Sequence, residues 1–240
     1  MRKQVLPKSD YGQAEPSSLP LPRYEVKIPL PATLSADVDA WVRLHPAHWK
    51  IAYPPRQVNN VYFDSAALTG LNGNLSGVSD RAKLRLRWYG PDLGTVAGGH
   101  LELKRKQGMA GWKETAAVPA VLDLTTPSWP ALVRELRATT SPEARAWLNC
   151  FAAPVLVNHY QRAYYATPDG RLRLTVDRCL CAYPQRAANR PNLSRESPAV
   201  ALIVVELKAP IDAAPQLSKA LAGFPAPVDR FSKYVQGMGG

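Results

Sequence analysis

Strict alternation of apolar and polar residues is the commonest pattern along this chain, the period-2 mark of a β-strand with two chemically different faces. In Lys83-Leu84-Arg85-Leu86-Arg87 the cations share one face and the leucines the other. Arg171, Arg173, Thr175 and Asp177 alternate with Leu172, Leu174 and Val176. Glu102, Lys104 and Lys106 alternate with Leu101, Leu103 and, less neatly, Arg105; Glu206 and Lys208 with Val205 and Leu207; Arg23, Glu25 and Lys27 with Tyr24, Val26 and Ile28. Further alternating or apolar runs lie at Val58 to Phe63, Trp112 to Val118 and Val155 to Tyr165. These segments predict about eight strands. Segments of helical period follow Ser35, run from Ser128 to Arg137, open at Ser141-Pro142-Glu143 with a cap and first turn, and recur briefly after Asp212 and Asp229. The pattern predicts an antiparallel α+β domain.

A solvated sheet also alternates apolar-in with polar-out, and for any single strand that is the simpler account. Across strands the polar faces are unusual: cations dominate, with the isolated acids Glu25, Glu102 and Glu206 two residues from a cation. If helices cover the apolar faces and the sheet closes on itself, the cations line an interior. Buried like charges cost several kcal/mol each by order of magnitude, so such a lumen is built for a polyanion.

Composition agrees. With 240 residues and 46% hydrophobic content, the chain is long enough for one large domain with its own core. Lys and Arg number 30 against 19 Asp and Glu, a formal charge of +11, which points to an anionic partner. The three cysteines are odd in number, and Cys179 and Cys181 lack the spacing of a redox or zinc motif, so a reducing cytoplasm and no disulfide framework are expected. Residues 1–22, rich in Pro, Ser and charge, read as a loosely ordered leader, with the fold over 23–240. No signal peptide or membrane span is expected. Trp41, Trp49, Trp129 and Trp147 read as core anchors, Tyr62, Phe63, Tyr164 and Tyr165 as strand packing, Asp64 as a strand-end residue and Asp177 as an ion-pair partner or orienter. The four histidines are scattered, and no Ser, His and Asp constellation for covalent catalysis stands out.

Taken in order, Arg23-Tyr24-Glu25-Val26-Lys27, Asn60-Val61-Tyr62-Phe63-Asp64, Lys83 to Gly90, Leu101 to Lys106, Arg162 with Tyr164, Arg171 to Arg178, Val205 to Lys208 and Phe231-Ser232-Lys233-Tyr234 resemble the VTC domain. This is the polyphosphate polymerase domain of the vacuolar transporter chaperone complex, within the CYTH or triphosphate tunnel metalloenzyme superfamily. Each motif is weak alone; the ordered set, over about residues 23 to 237, is specific.

The resemblance implies a closed eight-stranded antiparallel barrel with flanking helices, in which cations grip phosphates and acids hold a divalent metal, Mn²⁺ or Mg²⁺. It implies phosphate-gripping and catalytic roles for Lys27, Arg85, Arg87 and Lys233. It implies further phosphate contacts from Lys104, Lys113, Arg162 and Arg173, while Lys208, Lys106 and Arg171 share faces with these and extend the anion path. It implies a metal-binding role for Glu206, with Glu25 and Glu102 as helpers. The implied reaction transfers the γ-phosphoryl of ATP to polyphosphate, or to phosphate or pyrophosphate as primer, with no nucleic acid expected as partner. Two departures stand out. Arg23 occupies a position where the superfamily often has a second glutamate, and Thr115 stands where a second cation is expected after Lys113. The fewer carboxylates disfavour a triphosphatase; a non-catalytic anion binder is the third class, although basic tails and aromatic nucleic-acid motifs are missing.

Overall fold

The structure, a computed structural model, describes residues 23–107, 110–186, 188–198, 201–224, 226–229 and 231–239. The expected leader, residues 1–22, lies outside the described residues. In chain order the elements are β1 (Arg23–Pro31), α1 (Ser35–Leu44), β2 (Lys50–Asp64), α2 (Thr69–Leu75), β3 (Arg81–Tyr89), β4 (Thr95–Val96), β5 (Gly99–Gln107), β6 (Ala110–Val118), β7 (Leu122–Asp123), α3 (Trp129–Thr139), α4 (Pro142–Cys150), β8 (Ala153–Ala166), β9 (Arg173–Pro184), β10 (Leu202–Pro210), α5 (Ala214–Leu221) and α6 (Lys233–Gly237).

Eight strands form one antiparallel sheet in the order β1-β10-β9-β8-β2-β3-β5-β6, while β4 and β7 pair separately. The apolar faces found by alternation are buried under the helices in two clusters. Leu84, Leu86, Trp88, Leu101 and Leu103 pack with Leu132, Leu136 and Leu148 of α3 and α4. Ile28, Leu174, Val176, Val205 and Leu207 pack with Val38 of α1 and Leu217 of α5. Helices α1, α3, α4 and α5 therefore cover one face of the sheet, while the charged face, on which α6 packs through Tyr234 against Tyr62 and Leu156, curls inward. The ion pair between Lys104 on β5 and Glu25 on β1, at 3.3 Å, shows how far it curls, because these strands belong to opposite arms of the sheet.

The expected closure into a barrel is corrected here. Among the described residues no ladder joins β1 to β6, so the sheet is a curled half-barrel whose outer strands, β1 and β6, do not pair with each other. Pro29 and Pro31 on β1 bring no N–H to a neighbour, a composition suited to an edge strand. The two arms meet through side chains.

At the β8 and β9 ladder the register shifts between His159 and Gln161, and Cys179 sits at φ 51°. This bulge inverts the alternation of β9: Leu174 and Val176 face one apolar cluster before it, whereas Cys181 and Tyr183 face the other after it. α2 carries two glycines and two asparagines and has little helical propensity. What fixes it is Asp64, whose carboxylate accepts from the amides of Gly70 and Leu71, each at 2.9 Å. Cys150, Cys179 and Cys181 are free thiols. No helix among the described residues is long and apolar enough to cross a membrane.

Candidate functional site

Two buried carboxylates organise the inner face. Glu102 of β5 lies between β3 and β6, and accepts from Arg85 at 2.5 Å, Lys113 at 2.9 Å and, at longer range, Arg87 at 3.7 Å. Its register partners, Arg85 and Thr115, place these side chains on one face, and Lys113 is two residues along β6. Burial pushes Glu102 toward its neutral form, but Arg85, Arg87 and Lys113 outweigh it and hold the carboxyl far below its ordinary value. Asp177 of β9 is fully buried and receives both prongs of Arg162 at 2.6 and 2.7 Å and the Lys233 ammonium at 2.6 Å. Here too burial opposes the charge, and Lys233 and Arg162 overcome it.

A third group lies between β1 and β10. Lys27 bonds Glu25 at 2.6 Å, and Lys208 bonds Glu206 at 2.8 Å. Arg162 stands 3.9 Å from Glu206. Burial disfavours the Glu206 carboxylate, yet Lys208, Lys27, Arg162 and Lys233 keep it well below its usual range. Lys27 is raised because Glu206 and Glu25 outweigh the burial that opposes its charge.

The inner face thus gathers Lys27, Arg85, Arg87, Lys104, Lys113, Arg162, Lys208 and Lys233, all expected from the sequence, with the acids Glu25, Glu102 and Glu206. Arg173 sits at the rim, exposed, opposite Lys208. Lys106 lies at the far end of β5, opposite Arg81 and Gly111. Arg171 is set apart: it precedes β9 and pairs at 2.5 Å with the exposed Asp212.

Three residues without a sequence-derived role position Arg87. Arg87 donates to Asn60 at 2.9 Å and to the Tyr160 hydroxyl at 3.1 Å, and Asn60 in turn donates to Asn158 at 2.8 Å. Their polar atoms in otherwise apolar strand centres were the available signal. Asp177 takes the ion-pair role expected of it. Asp64 is a structural acceptor: besides the α2 amides it receives the Tyr234 hydroxyl at 2.5 Å, which fastens α6, and hence Lys233, to the end of β2. Tyr234→Phe is therefore expected to cost about 1–2 kcal/mol. A melting temperature several degrees below wild type in calorimetry is the expected result, and an unchanged one removes Asp64 as the anchor.

Among the described residues no three His, Cys, Asp or Glu side chains gather into a metal cage. The oxygens of Glu102 are taken by cations. Glu25 and Glu206 also bond lysines, but they lie on paired strands, close enough to repel each other, and are hard oxygen donors of the kind Mg²⁺ or Mn²⁺ takes. A small cavity of about 40 Å³ lies beside Lys233, Tyr160 and Asn158. The larger groove, about 860 Å³, lies outside the sheet between α1 and α5, and its lining, with Trp41, Leu44, Pro46 and Leu172, is mostly apolar.

The family model described as VTC domain matches residues 22–239. No curated protein matches the chain. Among solved structures, the PH1819 protein from Pyrococcus horikoshii OT3 is similar at 13% identity and a TM-score of 0.44, over 89% of this chain and 97% of that one.

Proposed function

Since the chain belongs to the VTC domain family, we propose that it is an ATP-dependent polyphosphate polymerase working on the cationic inner face of the half-barrel. The family is associated with polyphosphate synthesis. The observation that carries the reading is the convergence of cations from β1, β3, β5, β6, β8, β10 and α6 on one face, in excess of its carboxylates. An excess of this kind suits a chain of phosphates, whose oxygens replace the acids as partners.

In the transfer, a terminal oxygen of the acceptor chain bonds to the γ-phosphorus of ATP as the bond to the β–γ bridging oxygen breaks and ADP leaves. The acceptor oxygen is already ionised, so the reaction needs neither a covalent nucleophile nor a protein base, and catalysis is positioning and charge neutralisation. Arg85, Arg87 and Arg162 offer planar guanidinium groups to phosphate, and each is held by a neighbour before substrate arrives. Lys233 stands at the first turn of α6, where its ammonium neutralises charge on the transferring group. A divalent cation would be held by Glu206 and Glu25 and would supply further charge neutralisation at the phosphate oxygens.

Incubating the pure protein with ATP and Mn²⁺ or Mg²⁺ and sizing the products on a gel tests the reading. A ladder that lengthens with time is expected. Orthophosphate alone makes the protein a hydrolase, and polyphosphate binding without turnover makes it a binding module. Glu206→Gln keeps shape and removes charge, so it is expected to shift the metal dependence of synthesis by about tenfold or more while metal-free polyphosphate binding survives or tightens. An unchanged metal titration reassigns the ligand to Glu25.

A further inference from the structure

Lys83 differs from the other lysines of the inner face. It projects from β3 on the face of Arg85 and Arg87, opposite Lys104 of β5. Lys27, Lys104, Lys113, Lys208 and Lys233 each touch a carboxylate. Among the described residues no carboxylate bonds to Lys83; its amine meets the Ser232 hydroxyl at 2.9 Å. Its charged surroundings are Lys27 from β1, Lys104 from β5, and Arg81 and Arg85 from its own strand. From α6, the Tyr234 ring lies 5.9 Å away, stacked in turn on Tyr62 of β2. Ser232 is the N-cap of α6, its hydroxyl accepting from the Val235 amide, and it directly precedes Lys233. A half-buried amine is thus placed among cations, facing the site, and tied to the helix that presents Lys233.

We propose that Lys83 is a further phosphate ligand of the site, one that leaves Ser232 and turns to the phosphate chain when a polyanion occupies the inner face. The inference rests on the polyphosphate reading above and deepens it. An ammonium here, without a counter-ion, is opposed by desolvation and by its like-charged neighbours, and phosphate oxygens remove both objections at once. Burial, followed by repulsion from Lys27, Lys104, Arg81 and Arg85, pushes the free amine down to about 7 from an ordinary 10.5. Between those values the complex holds a proton that the free protein lacks, so polyphosphate affinity falls as pH rises through this window, by up to about tenfold per unit for a single group.

The test is titration calorimetry of the full chain with long-chain polyphosphate at pH 8, in two buffers of different ionisation heat. Wild type is expected to take up about one proton through Lys83 on binding. Lys83→Met is expected to bind several-fold more weakly with that proton missing. Lys83→Arg, permanently charged, is expected to bind close to wild type with the same proton missing, and so controls for folding of the methionine variant. Uptake that is equal in all three proteins, or a wild-type heat independent of buffer, overturns the role of Lys83. Failure of wild type to bind polyphosphate at all is a different outcome and overturns the polymerase reading itself.

Discussion

Lys233→Ala is expected to slow chain growth about a hundredfold, the scale of removing one preorganised transition-state donor. By its local pattern a lysine in a short helical stretch would be a solvated charge, and it was the resemblance that implied a catalytic role for it. In the structure its side chain is only 10% exposed, its ammonium bonds Asp177 at 2.6 Å, and it lies 4.8 Å from the centre of the Tyr160 ring. The ammonium thus shares Asp177 with Arg162 and acts on the Glu206 carboxylate, a place from which it would neutralise charge in the proposed transfer. The same contacts give the substitution a structural cost. Asp177 keeps both Arg162 bonds but loses one partner, which costs about 1–2 kcal/mol and lowers the melting temperature by a few degrees. Initial rates must therefore be compared at temperatures where both proteins are folded. Lys233→Arg is expected to restore the melting temperature better than the rate, because a planar fork does not replace a compact point charge. Near-normal synthesis by Lys233→Ala would leave this residue with the structural role alone.

Glu102→Gln is expected to destabilise the ligand-free protein by about 3–5 kcal/mol, since it leaves Arg85 and Arg87 inside the site without their counter-charge. Lys113, whose side chain is 42% exposed, contributes little to that cost. A melting temperature roughly ten degrees below wild type follows. Added polyphosphate is expected to raise the variant's melting temperature more than it raises that of wild type, because the anion supplies the charge the glutamate gave. An equal gain in both proteins would mean that the anion does not contact this arginine pair. The acid limb has a definite sign: the folded carboxyl is held below its ordinary 4.5, so its stabilisation is complete above that value and is lost as pH falls beneath it. Asp177 and Glu206 behave alike. Wild type is expected to lose stability steeply below about pH 4.5, and Glu102→Gln to show a shallower acid limb.

Much of this was legible in the chain because alternation along a strand is a local property. The face shared by Lys83, Arg85 and Arg87, the one shared by Glu206 and Lys208, and the apolar faces opposite them needed only the period of an extended backbone. The caps at Ser141 and the start at Ser35 were equally local, and both helices begin there or one residue on. So were the order of motifs and the excess of positive charge.

Partnership between distant strands was not legible, because it depends on how far a sheet curls and where its register slips. Glu102 and Glu25 look alike in sequence, each an acid two residues from a lysine, yet one is filled by Arg85, Arg87 and Lys113 while the other joins Lys27 to Lys104 across the two arms. The bulge at Cys179 reverses which β9 residues face inward, and α2 exists because Asp64 caps it in defiance of its composition. Arg171 continues the inward alternation of β9 on paper, but the chain has not yet entered the strand there and Asp212 draws the side chain outward. Whether the sheet closes was settled by its two edge strands, since proline at alternate positions of β1 withholds the N–H groups a closing ladder would use. The sequence by itself determined which residues carry charge and which of their neighbours share a face; only the tertiary structure decided which charges meet, because an ion pair is fixed by a distance of a few ångströms between residues far apart in the chain.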